Sequence, residues 1–312
     1  MVLRKKCNRL LRRNTVNMAA VWKLTSGACS VTVMPHSERS GHRGFSNRMD
    51  MVLLYLLAGI AAGILSGLFG LGGGVIIVPV LLILFGLQGV DPAASMHMAI
   101  ASSLAIIVMT SLSSVRSHWR RGGVRWSIAG AMTPGILLGA LAGALLAAWI
   151  SGELLRLIFA SFLLTVALRM TLSRDIQRTL SLPGSAGLGA AGGGIGLVSA
   201  LVGIGGGSLT VPFLAKCGIG MREAVGTSAA CGLPIALAGT LGYMLSGWGN
   251  PLVPDWSSGY VFWPAVLAVT VTSTLLAPVG AMLSYRLPAV LLRRLFALLL
   301  GLMAIRLFYG GF

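Results

Sequence analysis

Two clusters of glycine are the residues of this chain whose type and spacing point most directly to chemistry. One lies within Ser66–Pro79 and the other within Ser199–Pro212, and matched residues of the two clusters are a constant distance apart. Because glycine inside a helix costs about 1 kcal/mol relative to alanine, consecutive glycines predict that both helices are interrupted. A helix that starts after such a break exposes N–H groups with partial positive charge, which bind anions. The clusters therefore predict an anion site formed by backbone amides.

The predicted binding residues are glycines, which let a ligand approach the backbone closely, and hydroxyl side chains, which donate to an anion without a fixed charge. They are Gly72, Gly73, Gly74, Ser103, Gly205, Gly206, Gly207, Ser208, Thr227 and Ser228. Pro79 and Pro212 are expected to shape the short helices that follow the breaks. Two alternatives stay open. A cluster could be a packing kink without a ligand, and a hydroxyl could bond to a carbonyl of its own helix.

Other residue types that carry chemistry in proteins form no comparable pattern. The four cysteines include no CxxC pair, and Met96-His97-Met98 has no second Met/His cluster that would complete a metal site. No hydrophobic segment carries an acid at its centre, which disfavours a proton relay built from carboxylates. The sequence predicts neither an enzyme nor a bound metal or cofactor.

Composition indicates that most of the chain lies in a lipid bilayer. Of the 312 residues, 56% are hydrophobic and 10% are charged, whereas soluble domains carry about 25% charge. Apolar runs long enough to span a bilayer recur from Met51 onward. The net charge of +17 does not indicate a nucleic-acid partner, because ten of the 24 basic residues lie in the first 48 positions and the others fall mostly between apolar runs. The predicted fold class is an all-α polytopic membrane protein.

The hydrophobic segments divide the chain into four parts. Residues 1–50 are basic, and we expect them to be disordered or to precede the true translation start. Residues 51–178 and 185–312 are predicted to be two homologous transmembrane repeats, joined by a linker at 179–184. The second segment of each repeat is too short for an ordinary full span, which indicates either a half-helix that follows a break or a strongly tilted short span. The predicted segments are 51–69, 75–88, 93–115, 127–150, 154–172, 185–204, 208–219, 224–247, 259–284 and 289–310.

The duplication extends beyond the glycine clusters. Ala99–Ser103 resembles Ala224–Ser228, and Leu154–Ala160 resembles Leu291–Ala297. If each repeat has five crossings, the two repeats are inverted relative to each other, and most basic loop residues fall on one side. If each glycine-broken pair counts as one crossing, the repeats are parallel and the basic loops are split between the sides. The charge pattern favours the inverted arrangement.

Small residues also recur at the spacing that lets helices approach closely in lipid. They are Gly59, Gly63 and Gly67, and then Gly135, Gly139 and Gly143. We expect these glycines to serve packing.

The doubled glycine motif with its proline, followed by a small-residue pair that contains serine, resembles the TauE/SafE sulfite exporter family over residues 51–312. The family's glycines and prolines match Gly70, Gly72, Gly73, Gly74, Pro79, Gly203, Gly205, Gly206, Gly207 and Pro212, and its polar position matches Ser103 and Ser228. The resemblance implies a permease that moves sulfite, organosulfonates or related small anions across the cell inner membrane. It implies no ATPase subunit and no cofactor.

Two other functions stay open at this point. The chain could be a non-transporting membrane scaffold subunit, or a cation or metal permease that uses carbonyl groups at the breaks. The scarcity of acidic residues in the apolar segments disfavours the cation permease. The direction of transport, the coupling ion and the formation of a homo-oligomer are left open by the sequence.

Overall fold

A computed structural model describes residues 48–69, 74–172, 181–284 and 289–309. Within these ranges the chain is helical apart from one hairpin, in which β1 (Ser257–Ser258) pairs antiparallel with β2 (Val261–Phe262). The all-α prediction is confirmed, while the predictions for residues 1–47 fall outside the described ranges. The ten helices are α1 (Arg48–Phe69), α2 (Gly74–Leu87), α3 (Pro92–Arg120), α4 (Trp126–Ala147), α5 (Gly152–Leu172), α6 (Ser185–Val202), α7 (Gly207–Lys216), α8 (Met221–Ser246), α9 (Trp263–Ser284) and α10 (Ala289–Phe308).

Helix length separates the membrane spans from the half-helices. Five of the described helices, α3, α4, α5, α6 and α8, are long and apolar enough to cross a membrane. By contrast, α2 and α7 have 14 and 10 residues, fewer than the ~20 that a span requires. One predicted boundary was wrong. The segment 259–284 is not continuous, because Gly259 adopts a left-handed φ of +58° in the hairpin and α9 begins only at Trp263.

At one end of the molecule the hairpin, residues 257–262, is packed between α3 and α8. The backbone N–H of Phe262 donates to Ser102 Oγ in the first half of α3, at 3.1 Å. The N–H of Tyr260 donates to Tyr243 O near the end of α8, at 3.4 Å. We call this the hairpin end.

At the opposite end the loop after α3 contacts the start of α8. The guanidinium of Arg222 donates to Arg121 O at 2.6 Å, and a Cβ placed on Gly226 would lie 2.6 Å from the carbonyl carbon of Gly123. We call this the arginine end. Since α3 begins at the hairpin end and α8 begins at the arginine end, these two long helices run in opposite directions.

Helices α1 and α2 form a pair that starts and finishes on the hairpin side. Tyr55 in the first half of α1 and Phe85 near the end of α2 both contact the ring of Phe262, with ring centroids 6.1 and 6.0 Å apart. The start of α2 lies deeper, because a Cβ on Gly74 would be 2.8 Å from Cδ1 of Ile107, in the middle of α3. Helix α2 therefore returns to the hairpin end, where α1 begins.

Glycines bring two helix pairs into backbone contact, which confirms the predicted packing role for the residues described. A Cβ at any of four glycines would meet the backbone of the neighbouring helix. The contacts are Gly135 with Gly189, Gly139 with Gly193, Gly59 with Val269 and Gly63 with Ser273. The first two join α4 to α6, and the last two join α1 to α9. In both pairs the helices run in the same direction.

Candidate functional site

The second glycine cluster interrupts its helix, as predicted from the sequence. Helix α6 ends at Gly203, whose φ of +69° lies in the left-handed region that glycine adopts without strain. The N–H groups of Gly203 and Ile204 both donate to Ser199 O, which closes the last turn. The four residues from Gly203 to Gly206 are buried. The break is therefore lined by protein, as a helix break at membrane depth requires.

One residue of the first glycine cluster lies at this point. Gly74, which starts α2, lies against the second break, so that a Cβ on it would be 3.0 Å from Gly203 O and 3.1 Å from the Cα of Ile204. The hydroxyl of Ser103 in α3 donates to the same carbonyl, Gly203 O, at 2.9 Å. Folding thus brings together residues from both clusters and one of the predicted hydroxyls.

The first turn of α7 places backbone donors at the break. The N–H groups of Leu209 and Thr210 donate to Gly206 O at 3.3 and 2.8 Å. The amides of Gly207 and Ser208 precede these bonds, and the first N–H groups of a helix have no partner within it. They also carry the positive end of the helix dipole. The predicted amide donors therefore sit at a helix N-terminus.

Three hydroxyl groups around the break are buried and have no hydrogen-bond partner among the described residues. They belong to Ser199 at the end of α6, and to Ser208 and Thr210 in the first turn of α7. Burying a hydroxyl without a partner costs about 1–3 kcal/mol on the scale of protein mutations. Sequence reasoning selected Ser208 but missed Ser199 and Thr210. Their positions within one turn of the glycines, in otherwise apolar helices, were the available signal.

Helix α8 forms another wall of the break. A Cβ on Gly206 would lie 3.2 Å from Cδ1 of Ile235 and 3.3 Å from Ser228 O, and a Cβ on Gly232 would lie 3.6 Å from Gly206 N. The Ser228 hydroxyl donates to Val225 O at 3.2 Å, within its own helix. In this structure α8 therefore contributes backbone and apolar surface to the break.

The remaining predicted residues are distributed as follows. Thr227 Oγ1 accepts from Arg125 N at 3.0 Å, at the arginine end. Pro79 and Pro212 lie within the short helices α2 and α7, and a Cβ on Gly205 would be 3.2 Å from Ile107. Gly72 and Gly73 lie outside the described residues.

The described side chains that surround the break are uncharged, so its electrostatics come from dipoles. At the arginine end, by contrast, Arg125 Nε pairs with Glu223 Oε2 at 2.9 Å, and both side chains remain partly exposed. An arrangement of amide and hydroxyl donors can hold an anion without a fixed counter-charge. Such a site binds more weakly than one built from arginines, which suits a ligand that must leave again.

Comparison with known proteins identifies relatives along most of the chain. The sulfite exporter TauE/SafE family matches residues 55–307. A "probable membrane transporter protein" of Haemophilus influenzae is 40% identical over 260 residues, covering 82% of this chain and 98% of that protein. A protein of Methanocaldococcus jannaschii with the same description is 26% identical over 256 residues, covering 81% of this chain and 93% of that protein. No solved structure matches the chain.

Proposed function

The chain belongs to the TauE/SafE sulfite exporter family, a family of transporters and not of enzymes, and from this premise we propose that it is a secondary transporter of small sulfur-containing anions. That the protein is a multi-pass membrane transporter follows from the family and from the described spans. The substrate class, sulfite or an organosulfonate, is our proposal. We also propose the cell inner membrane as its location.

One observation carries the proposed anion site: the start of α2 meets the break between α6 and α7 inside the protein, next to hydroxyl groups that have no partner among the described residues. Gly74 contacts Gly203, Ser103 fixes the Gly203 carbonyl, and the Ser208 hydroxyl is buried without a partner among the described residues. A sulfur oxyanion has several acceptor oxygens and no donor when it is fully ionised. It therefore matches amides and hydroxyls, which can all donate, and helix N-termini bind such anions.

We further propose that the two halves are inverted repeats. The opposite directions of α3 and α8 support this arrangement, because these helices carry the matching blocks Ala99–Ser103 and Ala224–Ser228. The return of the α1–α2 pair to the hairpin end also supports it. That return leaves α3, α4 and α5 as the crossings of the first repeat. For the second repeat we propose α8 together with α9 and α10, which have 22 and 20 residues, while α6 stops at the break. Three is an odd number, which inverts the second repeat. In transporters of this kind the substrate site lies at the interface between the repeats, near the bilayer midplane.

The proposed transport cycle exposes the site alternately at the two ends. We assign the arginine end to the cytoplasm, because Arg116, Arg120, Arg121 and Arg125 cluster there and basic loops stay on the cytoplasmic side. In the present structure the hairpin covers one end, and the contact between the loop after α3 and the start of α8 covers the other. We propose that these two covers open one at a time during transport.

Thermal stability of the purified full chain in detergent, measured against small anions at constant ionic strength, tests the site. Sulfite, an alkanesulfonate, sulfate and chloride form the panel. A ligand that binds only the native state at a hundredfold excess over Kd adds about 2.7 kcal/mol of stability. We expect a selective shift with the sulfur anions that is lost in Gly206→Ala, because the added methyl group covers the donors at the break.

Gly194→Ala is the matched control, since a Cβ at this position in α6 meets nothing within 4 Å. The control should keep the shift. A shift with metal cations and not with anions would contradict the anion site and favour a cation permease. No shift with any solute, together with unchanged stability in Gly206→Ala, would favour a scaffold subunit.

A further inference from the structure

His97 occupies an unusual position in the second turn of α3, beneath the hairpin. Its side chain is buried, with 4% of its surface exposed. Ring atom Nε2 lies 3.0 Å from Ala147 O and 3.2 Å from Ile150 O, in the turn after α4. Ring atom Nδ1 lies 3.3 Å from Ala93 O, one turn earlier in α3. Each of the two ring nitrogens therefore faces carbonyl oxygen.

This geometry fits the protonated ring better than the neutral one. A neutral imidazole has one N–H and one nitrogen lone pair, whereas a carbonyl oxygen can only accept. In the neutral state of His97, one ring nitrogen would direct a lone pair at an oxygen. The imidazolium donates from both nitrogens. Burial of a cation is costly unless it is hydrogen-bonded, and the three carbonyls supply the acceptors.

The corresponding position of the second repeat carries a permanent cation. When Ala99–Ser103 is aligned with Ala224–Ser228, the same register pairs His97 with Arg222. The guanidinium of Arg222 donates to Arg121 O, in the loop before α4, at 2.6 Å. The matched positions of the two repeats thus carry an imidazole and a guanidinium, and each lies against backbone carbonyls. The guanidinium is always charged, whereas an imidazole has a neutral and a protonated form.

The ring of His97 is also in direct contact with the hairpin. It stacks on the ring of Tyr260, with centroids 5.0 Å apart and planes at 25°. The Tyr260 hydroxyl accepts from the side-chain amide of Asn250 at 3.0 Å, which fixes the tyrosine from its other end. A cation above an aromatic face is attracted to the ring. The charge on His97 therefore affects how firmly the hairpin is held.

We propose that His97 is the proton-binding site of the transporter, and that this proton is coupled to anion movement; the proposal rests on the transport function proposed above. A proton from water at the hairpin end adds to the free ring nitrogen, and the resulting imidazolium holds α3, the turn after α4 and the hairpin together. When that proton returns to water, one nitrogen loses its donor and its bond to a carbonyl. The contact that keeps the hairpin closed is then weakened.

The other titratable groups on the packed elements lie around the same contact. Tyr260 on the hairpin stacks on the ring, and Tyr243 on α8 packs edge-on against Tyr260. Asp91 and Glu153 lie at the exposed starts of α3 and α5, which are in contact because a Cβ on Gly152 would lie 2.8 Å from Ala93 O. The turn that faces His97 Nε2 presents backbone carbonyls. Lower pH therefore favours the cation and the closed hairpin.

Nitrogen-15 NMR of the full chain, labelled at histidine and held in lipid nanodiscs, tests the site directly. We expect the signals that disappear in His97→Gln to change from imidazolium at low pH to a neutral tautomer at high pH. His118→Gln, at the other end of α3, should leave those signals in place. A His97 ring that stays in one protonation state between pH 5 and 8.5 would overturn the proposal.

Proton movement into liposomes that contain an internal pH dye tests the coupling. The driving solute is an alkanesulfonate, which stays ionised and carries no proton itself. We expect an imposed sulfonate gradient to move protons through the wild type and the His118→Gln variant. His97→Gln and His97→Arg should move none, although the second keeps the cation.

The two experiments separate the two proposals. Sulfonate flux without proton movement in the wild type would overturn the coupling and leave the transport function intact. A ring that titrates while no sulfonate or sulfite enters would contradict the proposed transport function, and would leave His97 as a proton site in a protein with another task.

Discussion

The hairpin end and the arginine end are closed by the same kind of bond. At the hairpin end, Ser102 Oγ accepts from the N–H of Phe262, the residue directly before α9. At the arginine end, Thr227 Oγ1 accepts from the N–H of Arg125, the residue directly before α4. In each case a buried hydroxyl on a long central helix caps the start of another helix.

The two ends differ in the material that covers this bond. At the hairpin end the cover is aromatic and mostly dry, since Tyr260 and Val261 are buried and Phe262 packs against Tyr55 and Phe85. At the arginine end the cover is charged and hydrated, with the partly exposed Arg125–Glu223 pair. Opening the first end therefore exposes apolar surface, whereas opening the second separates charges that water can solvate. We expect the hairpin end to be the more costly of the two to open.

The largest predicted effect comes from Gly259→Ala at the hairpin end. Gly259 has a φ of +58°, and a Cβ on it would lie 2.7 Å from the Cα of Met244. The left-handed backbone and the overpacking together should lower the free energy of unfolding by about 2–4 kcal/mol. Gly249→Ala is the control, because Gly249 has a φ of +75° but a Cβ there meets nothing within 4 Å. Equal losses in thermal or denaturant unfolding would show that the hairpin is not tightly packed.

The corresponding change at the arginine end is Gly226→Ala. The added methyl group would lie 2.6 Å from the carbonyl carbon of Gly123, so the loop before α4 must move. We expect a loss of about 1–3 kcal/mol, from overpacking alone. Gly220→Ala, where a Cβ meets nothing within 4 Å, serves as the control. If Gly226→Ala destabilised the protein more than Gly259→Ala, the two ends would rank in the opposite order to the one argued above.

The matched hydroxyls give smaller and more local effects. Ser102→Ala leaves the N–H of Phe262 without its acceptor, and Thr227→Val does the same to the N–H of Arg125. Each change should cost about 1–2 kcal/mol, and because the two sites are far apart the losses should add in the double variant. Hydrogen exchange should increase at the hairpin in the first variant and at the start of α4 in the second. Faster exchange at the opposite end would contradict the assignment of each hydroxyl to its own end.

The smallest predicted effect is that of Glu223→Gln, which removes the ion pair with Arg125. Exposed ion pairs contribute about 0–1 kcal/mol, and salt screens them. The loss in unfolding free energy should therefore be below about 1 kcal/mol at low salt and should disappear at high salt. The loss in unfolding free energy can be compared with that of Asp91→Asn at the hairpin end, where the Asp91 side chain caps α3 by accepting from the N–H of Ala93. A loss in Glu223→Gln that persists in high salt would indicate a structural role for this pair.

Pattern and composition were sufficient for the helices, because each depends on local chemistry. Apolar runs placed all ten, and the glycine clusters placed the break after α6 and the short helices α2 and α7. The hairpin was not predictable in the same way. In the sequence, residues such as Tyr260 and Val261 look like the start of an apolar segment. They form a hairpin because they pack into the space between α3 and α8.

In the candidate site, too, some residues were predictable from the sequence and others depend on tertiary contacts. Glycine spacing identified Gly74 and Gly205 to Gly207, since only the backbone requirement of a break selects glycine so strongly. It did not separate Ser103, which bonds to Gly203 O across the two halves, from Ser228, which bonds within its own helix. Both serines sit in equivalent sequence, and the difference lies in which neighbour each hydroxyl meets. Ser199 and Thr210 were missed for the same reason.

By itself, the sequence determined that the protein lies in a membrane, where its helices fall along the chain, and to which family it belongs. Hydrophobicity, helix length and glycine content act through neighbouring residues and can be read locally. The tertiary structure alone decided that Gly74 packs against Gly203, that Ser103 bonds across the two halves, and that His97 faces three carbonyls beneath a hairpin. These features depend on contacts between residues far apart in the chain. A local pattern does not encode which distant backbone group a side chain will find.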